Sequence, residues 1–503
     1  MARGSDGCPR ERHPAVVHCM LWEKSGTTKQ RNPGGDVVNW RRGPSWRYWA
    51  RAGAALLLAA TIAGCGAAYT RSMKGPLKRL ERRDYAGALS KLEKPRGNTN
   101  KLLYRLERGL IHHYQGDFRE SNRQLFKAER LAQELETRSA SREVVALLTN
   151  DAVRPYKGEE LERALIHYYK ALNYRYLQDP QGALVECRKA NMLLASAAAE
   201  QEYELSYRND AFLQYMTGLF FEAEKEWNDA YISYKDALKG YDAYEAAFGL
   251  ATPPVVARDL VQLARRLGYD DDVTQYSDRY GVQPSAPGAA DGCEVTVFAE
   301  SGFIARKSEL KIEVPILEDD DLGDVWHLSD RMAHRYHHPR TYPRPYPKVK
   351  YWLKMAIPTY HPSPPQVSGV RLTSGGRTVS ASLAEDLNGI AFKSFSEKKN
   401  TILLRTAVRA LMKYTMAQQA EDRNEVLGWF VNLVGNSTEA ADTRGWLSLP
   451  AQIWVGRIIL PPGTHDLLLE FLDARGRVVE EHLFSALQLR PGEPVFLSHR
   501  CFQ

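Results

Sequence analysis

Cysteine is scarce, six in 503 residues, and no two of them are spaced as CxxC, so the sequence offers no zinc-ribbon or thioredoxin-type site. Beyond residue 64 there is also no GxGxxG, Walker A, HExxH or GxSxG. Dinucleotide, P-loop, zinc-peptidase and α/β-hydrolase chemistry therefore have no motif to stand on. Ser396 and Lys399 satisfy S-x-x-K, but the S-x-N and K-T-G elements that accompany it in penicillin-binding enzymes are missing. A surplus of one charge is lacking as well. The formal +7 is concentrated at the start, where residues 1–64 hold ten Lys/Arg against four Asp/Glu, leaving 58 basic and 57 acidic residues for the rest. That near-neutral remainder gives no electrostatic pull toward nucleic acid.

Long hydrophobic runs are few, and the one that matters is short. Arg41, Arg42, Arg47 and Arg51 precede the uncharged stretch Ala52 to Ala63, rich in leucine and small residues. This is the layout of a secretory signal peptide. Ile62-Ala63-Gly64-Cys65 closes it and resembles the bacterial lipobox, in which the Cys receives a diacylglyceryl group and becomes the mature N-terminus. Cys65 is therefore the expected lipidation site, palmitate-bearing, with residues 1–64 as leader and translation starting at Met20 or near Val37. A membrane-spanning helix is disfavoured because Gly53, Gly64, Gly66 and the many alanines give weak insertion energy. Gly66, where an Asp would direct retention in the inner membrane, points to the outer membrane and a periplasmic protein.

Cys187, Cys293 and Cys501 remain. Cys293 and Cys501 bracket one β-rich region, so they are expected to pair across its termini with Cys187 buried and reduced; three free thiols are the alternative, since spacing alone cannot supply disulfide geometry.

From Met73 to about Tyr280 the pattern is helical, and it repeats. Gly109, Gly116-Asp117-Phe118 and Ala128 match the small, turn and small positions of a tetratricopeptide (TPR) hairpin. Ala171, Tyr174, Ala183 and Ala190 follow at matching offsets, as do Gly218, Phe221, Ala230, Tyr234 and Ala237; Arg83-Asp84-Tyr85 with Ala88 supplies a truncated first unit. Small residues let paired helices approach and aromatics fill the gaps. The spacing is irregular where regular arrays repeat near about 34 residues, and an insertion over Thr137 to Gly158 accounts for part of it. Such a solenoid implies a protein partner. Tyr168, Tyr169, Tyr174 and Tyr176 are the candidate partner-binding face, with inter-helix core as the competing reading. Asp270-Asp271-Asp272 reads as a solvated helix start.

Residues 283–292 are polar and Pro/Gly-bearing and mark a linker between a helical domain at 65–282 and a β-rich domain at 293–503, with helices near 380–435. Cys293 to Phe298 and Leu310 to Ile316 alternate like strands. So do Ile453 to Leu460, Asp466 to Leu472, Val478 to Leu489 and Val495 to His499, with turns at Pro461-Pro462-Gly463 and Ala474-Arg475-Gly476. The expected fold is α+β and multidomain: a TPR-like α-solenoid followed by an antiparallel, sandwich-like domain with inserted helices. His327, His334, His337 and His338 in the acidic and Pro/Tyr-rich stretch Asp319 to Pro365 read as an interaction loop, because Pro339 breaks the helix that a two-His site would need. No metal or cofactor is implied.

Glu300-Ser301-Gly302-Phe303, Lys307, Val314-Pro315-Ile316, the helix around Arg405 to Lys413, Thr438 to Asp442 with Arg444 and Trp446, and Leu449-Pro450 resemble an uncharacterised family of bacterial lipoproteins. Its members join a lipobox and TPR-like helices to a C-terminal β-containing domain. The resemblance implies a cell-envelope role and carries no catalytic residues. Glu439, Asp442, Arg444 and Trp446 are read as a structural polar cluster. The resulting expectation is a non-enzymatic, outer-membrane-anchored scaffold with a periplasmic or outer-membrane protein partner. The alternatives are a glycan-acting enzyme using Glu439 and Asp442, or a small-ligand binder.

Overall fold

The computed structural model describes residues 65–95, 97–137, 154–200, 210–283, 292–317, 349–360, 365–423 and 440–503. The described residues form one compact unit. The helical part contains α1 (Cys65–Ser72), α2 (Lys74–Leu80), α3 (Tyr85–Lys91), α4 (Lys101–Tyr114), α5 (Phe118–Thr137), α6 (Glu160–Tyr176), α7 (Pro180–Glu200), α8 (Ala211–Ala223), α9 (Trp227–Phe248), α10 (Pro254–Leu267) and α11 (Asp270–Tyr280).

These helices pair as successive hairpins from α2/α3 to α10/α11, and the turns show why. Arg83, Gly116, Gln178, Lys225 and Gly268 all have positive φ, between 56° and 84°. In each turn the next residue's N–H reaches back to a carbonyl five positions earlier: Asp84 to Arg79, Asp117 to His112, Asp179 to Tyr174, Glu226 to Phe221 and Tyr269 to Ala264, at 2.8–2.9 Å. This left-handed stop satisfies the carbonyls that a helix end leaves open. In the first four of these turns an acidic residue stands next, and Asp84, Asp117 and Asp179 accept from N–H groups of the following helix. Close approach within the pairs rests on the small residues. A Cβ on Gly109 would lie 2.5 Å from Leu125 Cδ2, and one on Gly218 would lie 2.4 Å from the Tyr234 ring.

The β part contains β1 (Cys293–Ser301), β2 (Lys307–Leu317), β3 (Val349–Tyr360), β4 (Gly369–Ser374), β5 (Arg377–Asp386), the helix α12 (Leu387–Arg423), β6 (Gln452–Leu460), β7 (Gly463–Leu472), β8 (Val478–Leu489) and β9 (Val495–Cys501). Seven strands form one sheet in the order β8-β7-β4-β5-β6-β1-β9, antiparallel except for β1 with β9, while β2 and β3 make a separate hairpin. The expectation of helix from about 380 is corrected: 377–386 is a strand, and α12 begins at Leu387.

The expected sandwich is corrected too, because the sheet curls around its own core. Val295, Val297, Leu372, Ile458, Leu469 and Phe471 point inward together, and the edges approach so closely that the His482 and His499 rings stack at 3.8 Å. Gly456 makes room at the bend, where a Cβ would meet Leu372 Cδ1 at 2.5 Å. Alternate residues of the same strands, Phe298, Ile453, Val455 and Phe496, join the helical core instead. One hydrophobic cluster thus runs from Tyr69 to Phe502 through both halves. Strands buried on both faces read as near-continuous apolar runs, as β6 does apart from Arg457, whereas β1 keeps an alternating pattern.

Cys187, Cys293 and Cys501 are buried free thiols. The expected Cys293–Cys501 bridge is overturned by strand direction. The parallel register pairs Cys501 with Ser301, leaving Cys293 at the opposite end of β1, roughly 26 Å away at the strand rise. A bridge requires Cα atoms within about 7 Å. Alkylation of the denatured, unreduced protein followed by peptide mapping is expected to label Cys187, Cys293 and Cys501 and to find no linked Cys293 and Cys501 peptides.

Candidate functional site

The first helix of each hairpin faces the sheet, the side that solenoids of this kind use as a binding groove. Here the chain fills that side itself. Residues 440–449 run across it, held at both backbone and side chains. Glu162 of α6 accepts the Trp446 N–H at 2.7 Å, and Glu107 of α4 accepts the Leu447 N–H at 2.9 Å. Tyr156 and Tyr69 donate to the same two carboxylates, at 2.7 and 2.8 Å. The Trp446 side chain is fully buried, its ring 5.9 Å from that of Tyr169.

Arg444, 1% exposed, grips Asp442 with two bonds at 2.8 and 2.6 Å. Its Nη1 donates to the carbonyls of Thr99 and Arg154 at 3.1 and 2.9 Å. Asp442, Arg444 and Trp446 therefore form a structural cluster that ties the β part to the first two full hairpins; Glu439 lies outside the described residues. Because Asp442 is engaged by Arg444, it is unsuited to the paired-carboxylate chemistry considered for glycan cleavage. Histidines 327, 334, 337 and 338 also lie outside the described residues.

A second group closes the groove further along. Glu300 of β1 accepts from Tyr114 at 2.7 Å and from Tyr168 at 3.1 Å. Phe496 meets Phe220 edge-on at 5.0 Å, and the Arg175 guanidinium lies 4.9 Å from the Phe496 ring centre. Tyr168 and Tyr169, expected to face a partner, are fully buried against this seam. That expectation is corrected for the pair: their face is occupied by the chain's own sheet. Tyr174 and Tyr176 are half-buried and pack against the same core. Sequence reasoning missed Glu107 and Glu162, and named Glu300 only within the family resemblance, without a role. The signal for Glu107 and Glu162 was a carboxylate at a position where the helix pattern calls for an apolar side chain.

Burial governs the seam's electrostatics. Desolvation pushes the Glu107 carboxyl up to about 7 despite its hydrogen bonds, and raises that of Glu162. Asp210 is the N-cap of α8; burial pushes its carboxyl up to about 6 and raises that of Glu385, its neighbour at the end of β5. Neither Glu385 oxygen, nor Asp210 Oδ2, finds a donor among the described residues. A proton held between the two carboxyls supplies one.

One cluster has metal-ligand composition. Ligand atoms of Glu129, His167 and Glu186 lie within 4.8 Å of one another. The position between the carboxylates is taken by the Lys170 ammonium, at 2.6 Å from Glu129 and 2.8 Å from Glu186, so the cluster is a buried ion-pair network. A cavity of about 200 Å³ lies beneath α12 and the β2–β3 hairpin. Of its cations, Lys307, Lys398 and Arg409, the two lysines converge on Glu159 at 2.5 and 3.4 Å. The charges there are internally balanced.

No family model matches the chain, and no curated protein does either. Solved structures give only remote likenesses. Aspartyl phosphate phosphatase F from Bacillus subtilis is 16% identical over 42% of this chain and 48% of its own, with a TM-score of 0.30; this chain thus spans under half of that protein. MamA is 15% identical over 42% of this chain and 88% of its own, with a TM-score of 0.28. BtubC from P. vanneervenii is 16% identical over 49% and 89%, also at 0.28. Scores this low carry no argument, so the repeat architecture rests on the shared turns and small-residue contacts described above.

Two outcomes follow from the seam. Removing the buried guanidinium in Arg444→Met takes a side-chain donor from the Arg154 and Thr99 carbonyls and both side-chain donors from Asp442, which keeps the backbone N–H of residue 444, and should cost about 3–5 kcal/mol, read as a fall in denaturant midpoint. For Asp210 and Glu385 the folded-state pKa values lie above the unfolded ones. Their contribution is therefore fully present below about pH 4 and is lost as pH rises through about 6 and beyond. Glu385→Gln keeps an N–H donor for Asp210 without titrating, and should flatten this part of the thermal-stability profile between pH 4 and 8.

Proposed function

We propose that this chain is a lipoprotein of the bacterial outer membrane, anchored through Cys65 and exposed to the periplasm, and that it serves as a protein-interaction scaffold rather than an enzyme. Support for the anchor comes from the signal-peptide layout and Ile62-Ala63-Gly64-Cys65. Cys65 is also the first residue of α1, and no helix among the described residues is long and apolar enough to cross a membrane.

The observation that carries the scaffold reading is the sealed inner face. Its carboxylates, Glu107, Glu162 and Glu300, are committed to N–H and O–H groups of the chain itself, which leaves the outer helices for a partner. Most of the large exposed apolar residues of the described solenoid sit on those second helices: Phe126 on α5, Val185 and Met192 on α7, and Ile232 on α9, with Tyr269 in the turn before α11.

Metabolic labelling with palmitate should disappear in Cys65→Ala, and unchanged labelling would reject the anchor. Photo-crosslinking residues placed at Met192 and Ile232 in intact cells should trap one and the same envelope protein. A scaffold role is rejected if neither position yields a protein adduct.

A further inference from the structure

A second cavity, of about 260 Å³, opens where the first two hairpin turns meet the last strand. Arg83 and Gly116, the left-handed residues of those turns, are exposed at its rim. Arg500 of β9 lies deeper and is 3% exposed. Its Nη2 donates to the Gly302 carbonyl, and to that of Leu449 at 3.3 Å. Its Nε and Nη1 reach no acceptor among the described residues. The guanidinium is ringed by Tyr114, Phe303 and Phe502, with centroids 5.7, 5.4 and 5.3 Å away.

The charge balance says what kind of acceptor is wanting. Glu300 lies 3.9 Å from Arg500 Nη1, and its oxygens are already taken by Tyr114 and Tyr168. At the rim, Arg83 is paired with Glu480. Burial keeps His499 and His482 below the ordinary histidine range, His482 at about 4, so both are neutral. The cationic charge is thus compensated while buried N–H groups still lack acceptors, a condition that costs free energy. Tyr176 Oη, beside Ser498, likewise makes no hydrogen bond of ordinary geometry among the described residues. The walls are aromatic: Phe118 and Tyr176 with rings 4.7 Å apart, and Phe484 and Phe496 from the sheet.

A neutral occupant rich in oxygen acceptors and bearing apolar C–H faces meets these conditions, whereas an anion would upset the charge balance. The volume, below the roughly 300–1,000 Å³ of drug-sized sites, admits one ring. We propose that this cavity binds a single pyranose sugar, its oxygens accepting from Arg500 and Tyr176 and its C–H faces lying on the Phe484 and Phe496 side. Ordered water satisfying the same donors is the competing arrangement.

Titration calorimetry and thermal shift on the full-length protein would use N-acetylglucosamine and glucose as probes, with acetate and inorganic phosphate as anionic controls. At least one sugar should bind with Kd near about 1 mM or tighter and raise the melting temperature. Tyr176→Phe should leave the sugar-free melting temperature unchanged or higher, since it removes an unpaired hydroxyl, and should weaken sugar binding about fivefold or more. Phe484→Ala, at a half-buried wall position, should also weaken it. Absence of heat and of stabilisation with both sugars means a water-filled cavity and overturns the proposal. Binding of acetate or phosphate in place of sugar overturns it too, as does sugar affinity unchanged in both variants.

Discussion

Glu107 and Glu162 hold two successive backbone N–H groups of a strand-free segment, and much of the molecule depends on that contact. Without it, Trp446 would have no fixed register against Tyr169, and Arg444 would not reach the carbonyls of Thr99 and Arg154. A segment captured through backbone N–H groups plus one aromatic and one Arg anchor is how a helical groove holds a peptide ligand. The difference is that here the ligand is part of the same chain. Burying two carboxylates is costly unless each lone pair is met. The Tyr69 and Tyr156 hydroxyls give each carboxylate a further donor, and Glu107 Oε2, which meets none of ordinary geometry among the described residues, fits the raised pKa of that group.

The sealed seam also changes what the helical repeats mean. Repeats ordinarily contact only their neighbours, so a solenoid is nearly one-dimensional. In this chain four or more hairpins share a core with one curled sheet: Phe298 touches Tyr168 and Phe212, Tyr241 donates to the Ala384 carbonyl at 2.9 Å, and Arg457 of β6 pairs with Asp259 of α10 at 2.5 Å. Such cross-links oppose the bending that free solenoids permit and favour a rigid body.

Legibility in the sequence followed the reach of each interaction. The strands at 453–460, 466–472, 478–489 and 495–499 were readable because alternation and Pro/Gly turns are local signals, and they match β6 to β9 closely. β3 was hidden by its position after a Pro/Tyr-rich stretch and by Pro358 inside it. β4 and β5 flank Gly375-Gly376, a hairpin signal that was present and overlooked. The turn at Gly116-Asp117 was legible, while those at Gln178 and Lys225 were masked because neither residue type announces a left-handed conformation. What covers Tyr168 and Tyr169, and where Cys293 lies relative to Cys501, depend on sheet order and strand direction. No local pattern encodes either.

The parallel pairing of β9 with β1 sets the order in which the molecule can be finished. β9 follows the other described elements in sequence, yet it supplies Phe496 and Arg500 to the seam against the helices, and Arg83 of the first turn binds the Arg500 carbonyl at 2.9 Å. A chain delivered N-terminus first therefore presents its hairpins long before their covering strand arrives. Until then the apolar inner face stands open to solvent and to misassociation, as nonlocal pairings generally do. Completion is tied to the arrival of β9, so a chain lacking that strand would leave the Phe220 and Arg175 side of the seam uncovered.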